Sequence, residues 1–121
     1  MKTIFKNYDF HLANHEDLLI DVNSGNGQLS TAAFYDFNDN PVLNSNSISD
    51  VSVLRQCLVG NRNQAETKKK ITLTITSRDL NPRSNKIEID VLINDISVCS
   101  LSETADKDGD QIVHFITINF K

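Results

Sequence analysis

The sequence KITLTITS (70–77), followed at a short distance by KIEIDVLINDISV (86–98), decides the fold of this chain. In an extended backbone the isoleucines and the leucine of the first run lie on one face, and the threonines lie on the other. The second run repeats this alternation. Two such runs with turn residues between and after them predict neighbouring strands of an antiparallel β-sheet.

The Asn-Asp pair at 94–95 predicts a tight hairpin within the second run. Asn and Asp tolerate the positive φ angles that a two-residue β-turn needs. This loop length would pair Ile93 with Ile96 and Val91 with Val98, so that the apolar side chains stay on one face.

The acidic segment 106–110 is predicted to turn the chain into a last strand, from about Gln111 to Phe120. A three-residue loop that ends at Gly109, with this glycine in the left-handed conformation, would place Val98 opposite Ile118. The side chains expected to face the core on the last strand are Ile112, His114, Ile116, Ile118 and Phe120.

The N-terminal half carries three further alternating runs, at 3–12, 17–23 and 28–37. Lys6 interrupts the first of them, which favours a place near a sheet edge. Asn26-Gly27 is a strong hairpin signal between the second and third runs. The third run has Leu29, Thr31, Ala33, Tyr35 and Phe37 on one side.

The segment 49–59 fits two templates. Its apolar residues form a helical stripe that Ser49 would cap and Gly60 would end, yet their alternation also fits a strand. A short helix near 49–59 is the preferred interpretation, with a strand as the alternative. The polar segment 61–70 reads as a loop or a strand entry.

Seven or eight strands at intervals of roughly ten residues, with no helix repeating between them, predict an all-β architecture. We expect a mainly antiparallel, single-domain β-sandwich over residues 1–121, with a flattened barrel as the alternative. A chain of 121 residues is long enough to bury a real core in one domain.

Composition excludes some partners. The formal charge of −4 disfavours non-specific binding to nucleic acid or to an anionic membrane. No apolar run is long enough for a signal peptide or a membrane span, so we expect a soluble protein in the cytoplasm. Cys57 and Cys99 are expected to be free thiols. The wealth of Asn, Ile and Lys, whose codons are AT-rich, suggests a microbial source.

Two sets of polar residues are candidate metal sites, and both have a structural alternative. Carboxylates on one turn can bind calcium, but the glycine of segment 106–110 is better explained by the hairpin. The acidic set comprises Glu103, Asp106, Asp108 and Asp110. A zinc site from His11, His15 and His114 is disfavoured because the segments that carry them read as strand and loop. We expect no cofactor.

A second apolar face is the main functional signal. Leu92, Leu101, Val113 and Phe115, together with Cys99, would add an apolar patch to the reverse of a sheet whose other face is the core. We therefore predict a non-enzymatic protein-interaction or assembly module that binds another protein or itself, as a homo-oligomer. The alternative is a calcium-dependent or carbohydrate-binding sandwich that uses the loop 103–110. No nucleophile or phosphate-binding motif indicates an enzyme.

Overall fold

The computed structural model describes residues 1–13 and 17–121, which form two β-sheets and one short helix. Its elements, in chain order, are β1 (Lys2–Phe10), β2 (Asp17–Ser24), β3 (Leu29–Tyr35), β4 (Pro41–Ser45), β5 (Ser52–Asn61), α1 (Arg62–Lys68), β6 (Lys70–Arg78), β7 (Lys86–Ile93), β8 (Ile96–Thr104) and β9 (Gln111–Phe120).

The strands form a two-layer sandwich, which confirms the predicted fold class. The five-stranded sheet has the order β1-β9-β6-β3-β4, and the four-stranded sheet has the order β5-β2-β7-β8. All pairings among the described strands are antiparallel except that of β1 with β9, which is parallel. The strand 2–10 lies at a sheet edge, as the interruption by Lys6 predicted.

The core lies between the sheets and takes alternate side chains from each strand. The five residues predicted to face inward on β9 are all buried, and the intervening ones are half-exposed. On β7 the four buried residues are likewise the predicted ones, Ile87, Ile89, Val91 and Ile93. Each such aliphatic side chain stabilises the fold by roughly 1.5–3 kcal/mol relative to exposure. The period-two pattern therefore located the core correctly on both strands.

The helix predicted near 49–59 is wrong, since this segment contains most of β5 and the helix follows at 62–68. Register shifts against β2 interrupt the strand's period of two. The apolar residues at helical spacing do not share one buried side, since Leu54 is buried whereas Val51 and Leu58 are exposed. Gly60 lies within β5 and does not end a helix, and a larger residue would not fit there because an added Cβ would lie 2.6 Å from the Phe37 ring. The true helix begins at Arg62 and is capped by Asn61, whose side chain accepts a hydrogen bond from Gln64 N while Gln64 Oε1 accepts one from Asn61 N.

The hairpin between β7 and β8 is confirmed in its turn and wrong in its register. Residues 94–95 have φ angles of 50° and 64°, and Ile93 pairs with Ile96. A register shift then pairs Val91 with Cys99 instead of Val98. One extra residue in β8 reverses the faces of everything after it, so Cys99 lies in the core.

Three connections that were predicted within one sheet instead cross between the sheets. The segment between β6 and β7 leads from the five-stranded to the four-stranded sheet, so the prediction that these two runs are neighbouring strands is wrong. The turn at Asn26-Gly27 leads from the four-stranded to the five-stranded sheet, and the segment after β8 does the same. The predicted pairing of Val98 with Ile118 is therefore wrong, because β9 pairs with β6 and β1. Gly109 does have the predicted positive φ, 83°. Turn chemistry is local and is the same whether the chain reverses within a sheet or passes to the other one.

The third strand buries a partly polar face. Its buried residues are Ser30, Ala32 and Phe34, whereas the alternate set from Leu29 to Tyr35 faces outward and only Phe37 of that set is buried. The Ser30 hydroxyl lies 2.7 Å from the hydroxyls of both Ser24 and Ser77. These hydrogen bonds offset the cost of burying the hydroxyls, so hydrophobicity alone could not reveal this face.

Gln28 is a fully buried polar hub beside these serines. Its Nε2 donates to Asp79 Oδ1 at 2.9 Å and to the Ser84 carbonyl at 2.8 Å. Its Oε1 accepts from the backbone N–H groups of Leu80 and Asn81, at 2.8 and 2.9 Å. A single side chain thus holds the loop between β6 and β7 against the start of β3.

The variant Gln28→Leu should destabilise the protein strongly. It keeps the volume but leaves the Asp79 carboxylate and two backbone N–H groups without this partner, for a loss on the order of 3 kcal/mol. Urea unfolding followed by circular dichroism measures it. Gln111→Leu, at a half-exposed glutamine on β9, is the control and should change stability little. A loss below about 1 kcal/mol for Gln28→Leu would contradict the assignment of the hub.

Candidate functional site

The structure does not bring the four predicted interface residues together. Val113 and Phe115 face outward on the five-stranded sheet, while Leu92 faces outward on the four-stranded sheet at the other side of the molecule. Leu101 packs against the core. The prediction of one shared patch is wrong for two reasons: β8 and β9 belong to different sheets, and the extra residue in β8 turns Leu101 inward.

Val113 and Phe115 belong to a wider surface, which we call the outer face and define as the outward side chains of the five-stranded sheet. Its middle row is continuous across all five strands. Phe5 pairs with Phe115, Phe115 with Thr74, Thr74 with Ala33, and Ala33 with Leu43. A row of this kind brings together side chains from positions 5 to 115 of the chain.

The rows beside it consist mainly of threonines. Strand pairing aligns one row as Thr3, Val113, Thr76, Thr31 and Ser45, and places Asn7, Thr117 and Thr72 on the other side of the middle row. None of these residues is charged, although 23% of the chain is. Charged side chains that share this face stand at the ends of the strands, at Asp9, Lys70 and Arg78.

The aromatic residues of the outer face are open to solvent. The rings of Phe5 and Phe115 are stacked, with centroids 5.0 Å apart and an interplanar angle of 14°. Phe5 is 72% exposed, and Leu43, at the opposite edge of the sheet, is 70% exposed. Large apolar side chains therefore stand at both ends of the middle row without a cover from the described part of the chain.

The outward side of the four-stranded sheet has a different character. It also has apolar residues, among them Leu92, but carboxylates lie between them. Asp21 pairs with Leu92, and Asp90 and Glu88 follow on β7. Glu88 forms a surface ion pair with Lys86 at 3.5 Å. Of the two exterior sheet faces, only the outer face therefore has an uncharged centre.

Each of the four sheet edges carries a feature that opposes the addition of a further strand. On β1 the exposed Lys6 has the parity of the core-facing residues, and β4 has only five residues, beginning with Pro41. β5 is irregular, with Gln56 at φ 48°, and β8 contains the register shift described above. Inward-pointing charges, prolines and bulges are the usual obstacles to edge pairing. The exposed faces are therefore better suited to contact than the edges.

The acidic loop is held together by hydrogen bonds and one ion pair. With its nitrogen turned toward the carboxylates, the Asn85 amide donates to Asp79 Oδ2 and Asp108 Oδ1, each at 2.7 Å. Asp106 lies 3.4 Å from Lys2 Nζ. The Asp110 carbonyl accepts from Asp79 N at 3.0 Å. Glu103 is half-buried on β8, apart from the loop that carries the other three carboxylates of the predicted calcium set.

The described residues, 1–13 and 17–121, contain no group of three or more His, Cys, Asp or Glu placed to hold a metal ion. Millimolar calcium should therefore leave the melting temperature within about one degree, since only a ligand of the native state raises it. Differential scanning fluorimetry measures this. A rise of several degrees that Asp108→Ala abolishes would contradict the structural reading of the loop.

The three histidines do not form a described site. His11 is exposed after β1, and His15 lies outside the described residues. His114 is fully buried, and neither ring nitrogen has a hydrogen-bond partner. Burial lowers the pKa of His114 from its ordinary value of 6.5; nearby Glu103 opposes this effect and Lys6 adds to it. The side chain is a neutral member of the core and has no open cleft in which to act as a base.

His114 should make the protein acid-sensitive. Its pKa is lower in the folded than in the unfolded state. The unfolding free energy is therefore unaffected by this group above pH 6.5, and it falls as the pH drops below this value because the unfolded state binds the proton more readily. His114→Leu should flatten the decline in unfolding free energy between about pH 7 and pH 5. Urea titrations at several pH values compare the variant with the wild type. An unchanged pH dependence would contradict the burial of an uncharged His114.

The cysteines are free thiols, as predicted. Burial, with a smaller contribution from Asp90, raises the pKa of Cys99 to about 11. Burial and the charge of Asp36 also raise the pKa of Cys57. Because the thiolate is the reactive form, neither cysteine has the environment of an activated nucleophile.

Comparison with protein-family models, with curated proteins and with solved structures finds no match to this chain. The described part of the chain also contains no helix that is long and apolar enough to cross a membrane. The outer face is the feature that sequence reasoning found only in part. The alternation of threonines at 72, 74 and 76 was a signal of an outward face, but the pattern could not show that Phe5 and Leu43 join it.

Proposed function

We propose that this chain is a non-enzymatic protein-interaction module that binds its partner on the outer face. The observation that carries the proposal is the uncharged centre of this face, five strands wide, with the stacked Phe5 and Phe115 rings on it. The centres of protein interfaces are depleted in charged residues and enriched in aromatic ones. The face has both properties, and the exterior of the other sheet lacks the first.

The energetics favour contact at this face. Phe5 is mostly exposed and contributes little burial to the fold of one chain. Covering a side chain of this size gains roughly 1.5–3 kcal/mol. Aromatic anchors surrounded by near-neutral contacts are the usual source of binding energy in interfaces. The threonines around the pair fit this second role, because they are uncharged and offer methyl groups for packing. The hydroxyls of Thr31 and Thr72 are hydrogen-bonded to Ser45 and Thr117.

The shape of the outer face also favours one kind of partner. A sheet face is broad and shallow, so it suits a protein surface of similar flatness and not a small molecule, which needs a concave pocket. The edge features described above disfavour a partner that adds a β-strand. The calcium-dependent or carbohydrate-binding alternative has less support, since Asp106 is paired with Lys2 and Asp108 accepts a hydrogen bond from Asn85.

We further propose a cytoplasmic location. It is supported by the two free cysteines, since reduced thiols persist in that compartment.

Phe115→Asp should abolish partner binding without unfolding the protein. Phe115 is half-exposed on the outer face, so the new carboxylate remains hydrated. Leu92→Asp is the matched control, because it places the same charge on the exterior of the other sheet. Tagged wild-type and variant chains are used to capture proteins from a lysate of the source organism, and circular dichroism checks their fold. Phe115→Asp should reduce the captured partner at least tenfold, and Leu92→Asp should not.

Two results would overturn the proposal. Undiminished capture by a folded Phe115→Asp variant would show that the outer face is not the contact surface. Equal loss with Leu92→Asp would show that the effect of the charge is not specific to this face.

A further inference from the structure

We infer that the partner on the outer face is a second copy of this chain, packed sheet to sheet around a twofold axis that runs along β6 and passes Thr74. This inference rests on the proposed function, which it makes more specific. It derives from the order of side-chain sizes in the middle row, from the distribution of charge and from the area of the face.

The side chains of the middle row are complementary in size to those of a second copy of the row placed opposite it in reverse order. Its order is Phe5, Phe115, Thr74, Ala33 and Leu43. An axis along the central strand places β9 of one copy over β3 of the other, so each Phe115 ring meets the small Ala33. Phe5 then meets Leu43 at each edge, and Thr74 meets Thr74. An axis across the strands would instead stack each phenylalanine on its own copy.

The neighbouring row fits the same operation. Val113 would lie opposite Thr31, Thr3 opposite Ser45, and Thr76 opposite Thr76. In a twofold interface each side chain on the axis meets itself, so a charge there would repel its own copy. The middle of β6 has threonines at these positions, and none of the side chains opposed in this row is charged.

Like charges approach each other only at the two ends of β6. Lys70 and Arg78 are both exposed there, four residues from Thr74 on either side. Packed sheets cross at about 30°, which moves these ends apart, and exposed charges are screened by salt. The repulsion is therefore small beside the gain from covering the row.

The area suits a standard interface. Five strands at a spacing of about 4.8 Å, each about seven residues long at about 3.3 Å per residue, give a projected surface of roughly 24 by 23 Å. This is on the order of 550 Å² before surface relief is counted, while a standard interface buries about 800 Å² per partner. A face-to-face dimer of this chain would thus approach the size of a specific complex.

Charge substitutions at Thr74 test the axis directly. Thr74→Glu and Thr74→Lys should each raise the dimer dissociation constant at least tenfold, because the new charge meets its own copy. An equimolar mixture of the two variants should restore the dimer, since Glu then meets Lys. Ser100→Glu, on the exterior of the other sheet, is the control and should remain dimeric like the wild type. Light scattering coupled to size exclusion measures the mass at several concentrations.

The outcomes separate this inference from the proposed function. A wild type that stays monomeric at about 100 µM overturns the dimer; if Phe115→Asp still loses a host protein, the docking function stands with another partner. Thr74 variants that remain dimeric, or a mixture that stays monomeric, overturn the assigned axis. A wild-type monomer together with undiminished capture by Phe115→Asp overturns both proposals.

Discussion

A two-layer sandwich has one core, and this constraint determines what each side chain of the molecule can do. Every strand has two faces, but only one of them can contact the opposite sheet. On β9 and β7 the inward face is filled with isoleucine, valine and phenylalanine, with His114 among them. Apolar residues on the outward face therefore do not contribute to this core. The folding of a single chain does not explain why they are there.

The two exterior faces answer this constraint in different ways. The four-stranded sheet places Asp21, Glu88 and Asp90 among its outward apolar residues, as expected for a solvated surface. The five-stranded sheet instead places threonines around a stacked pair of phenylalanines and keeps charges at the strand ends. Threonine keeps such a face compatible with water and with β-structure while adding no charge that an approaching protein would have to desolvate. Since the edges oppose strand addition, the outer face is the surface at which contact requires the least desolvation of charged groups.

Much of the fold followed from the sequence, because the period-two pattern is a local property. It identified the core side of β9 and β7, the turn at 94–95 and the left-handed Gly109. It failed where a single residue changed the phase, as in β8 beyond the hairpin. It also failed in the irregular strand β5, where apolar residues at helical spacing do not share one buried side. It also failed where polar residues were buried in a hydrogen-bonded network, as with Ser30. The candidate site was predicted only through Val113 and Phe115, because the row that joins them to Phe5, Thr74 and Leu43 depends on long-range strand order.

The central claim is that the outer face is covered in the functional protein. Hydroxyl-radical footprinting of the chain isolated in its native assembly tests this most directly, because it reports the exposure of single side chains. In one chain Phe5 and Leu43 are 72% and 70% exposed, while Leu58, on the other sheet, is 55% exposed. The account predicts that assembly protects Phe5 and Leu43 and leaves the oxidation of Leu58 unchanged. Oxidation of Phe5 and Leu43 at the rate of the unassembled chain would contradict it.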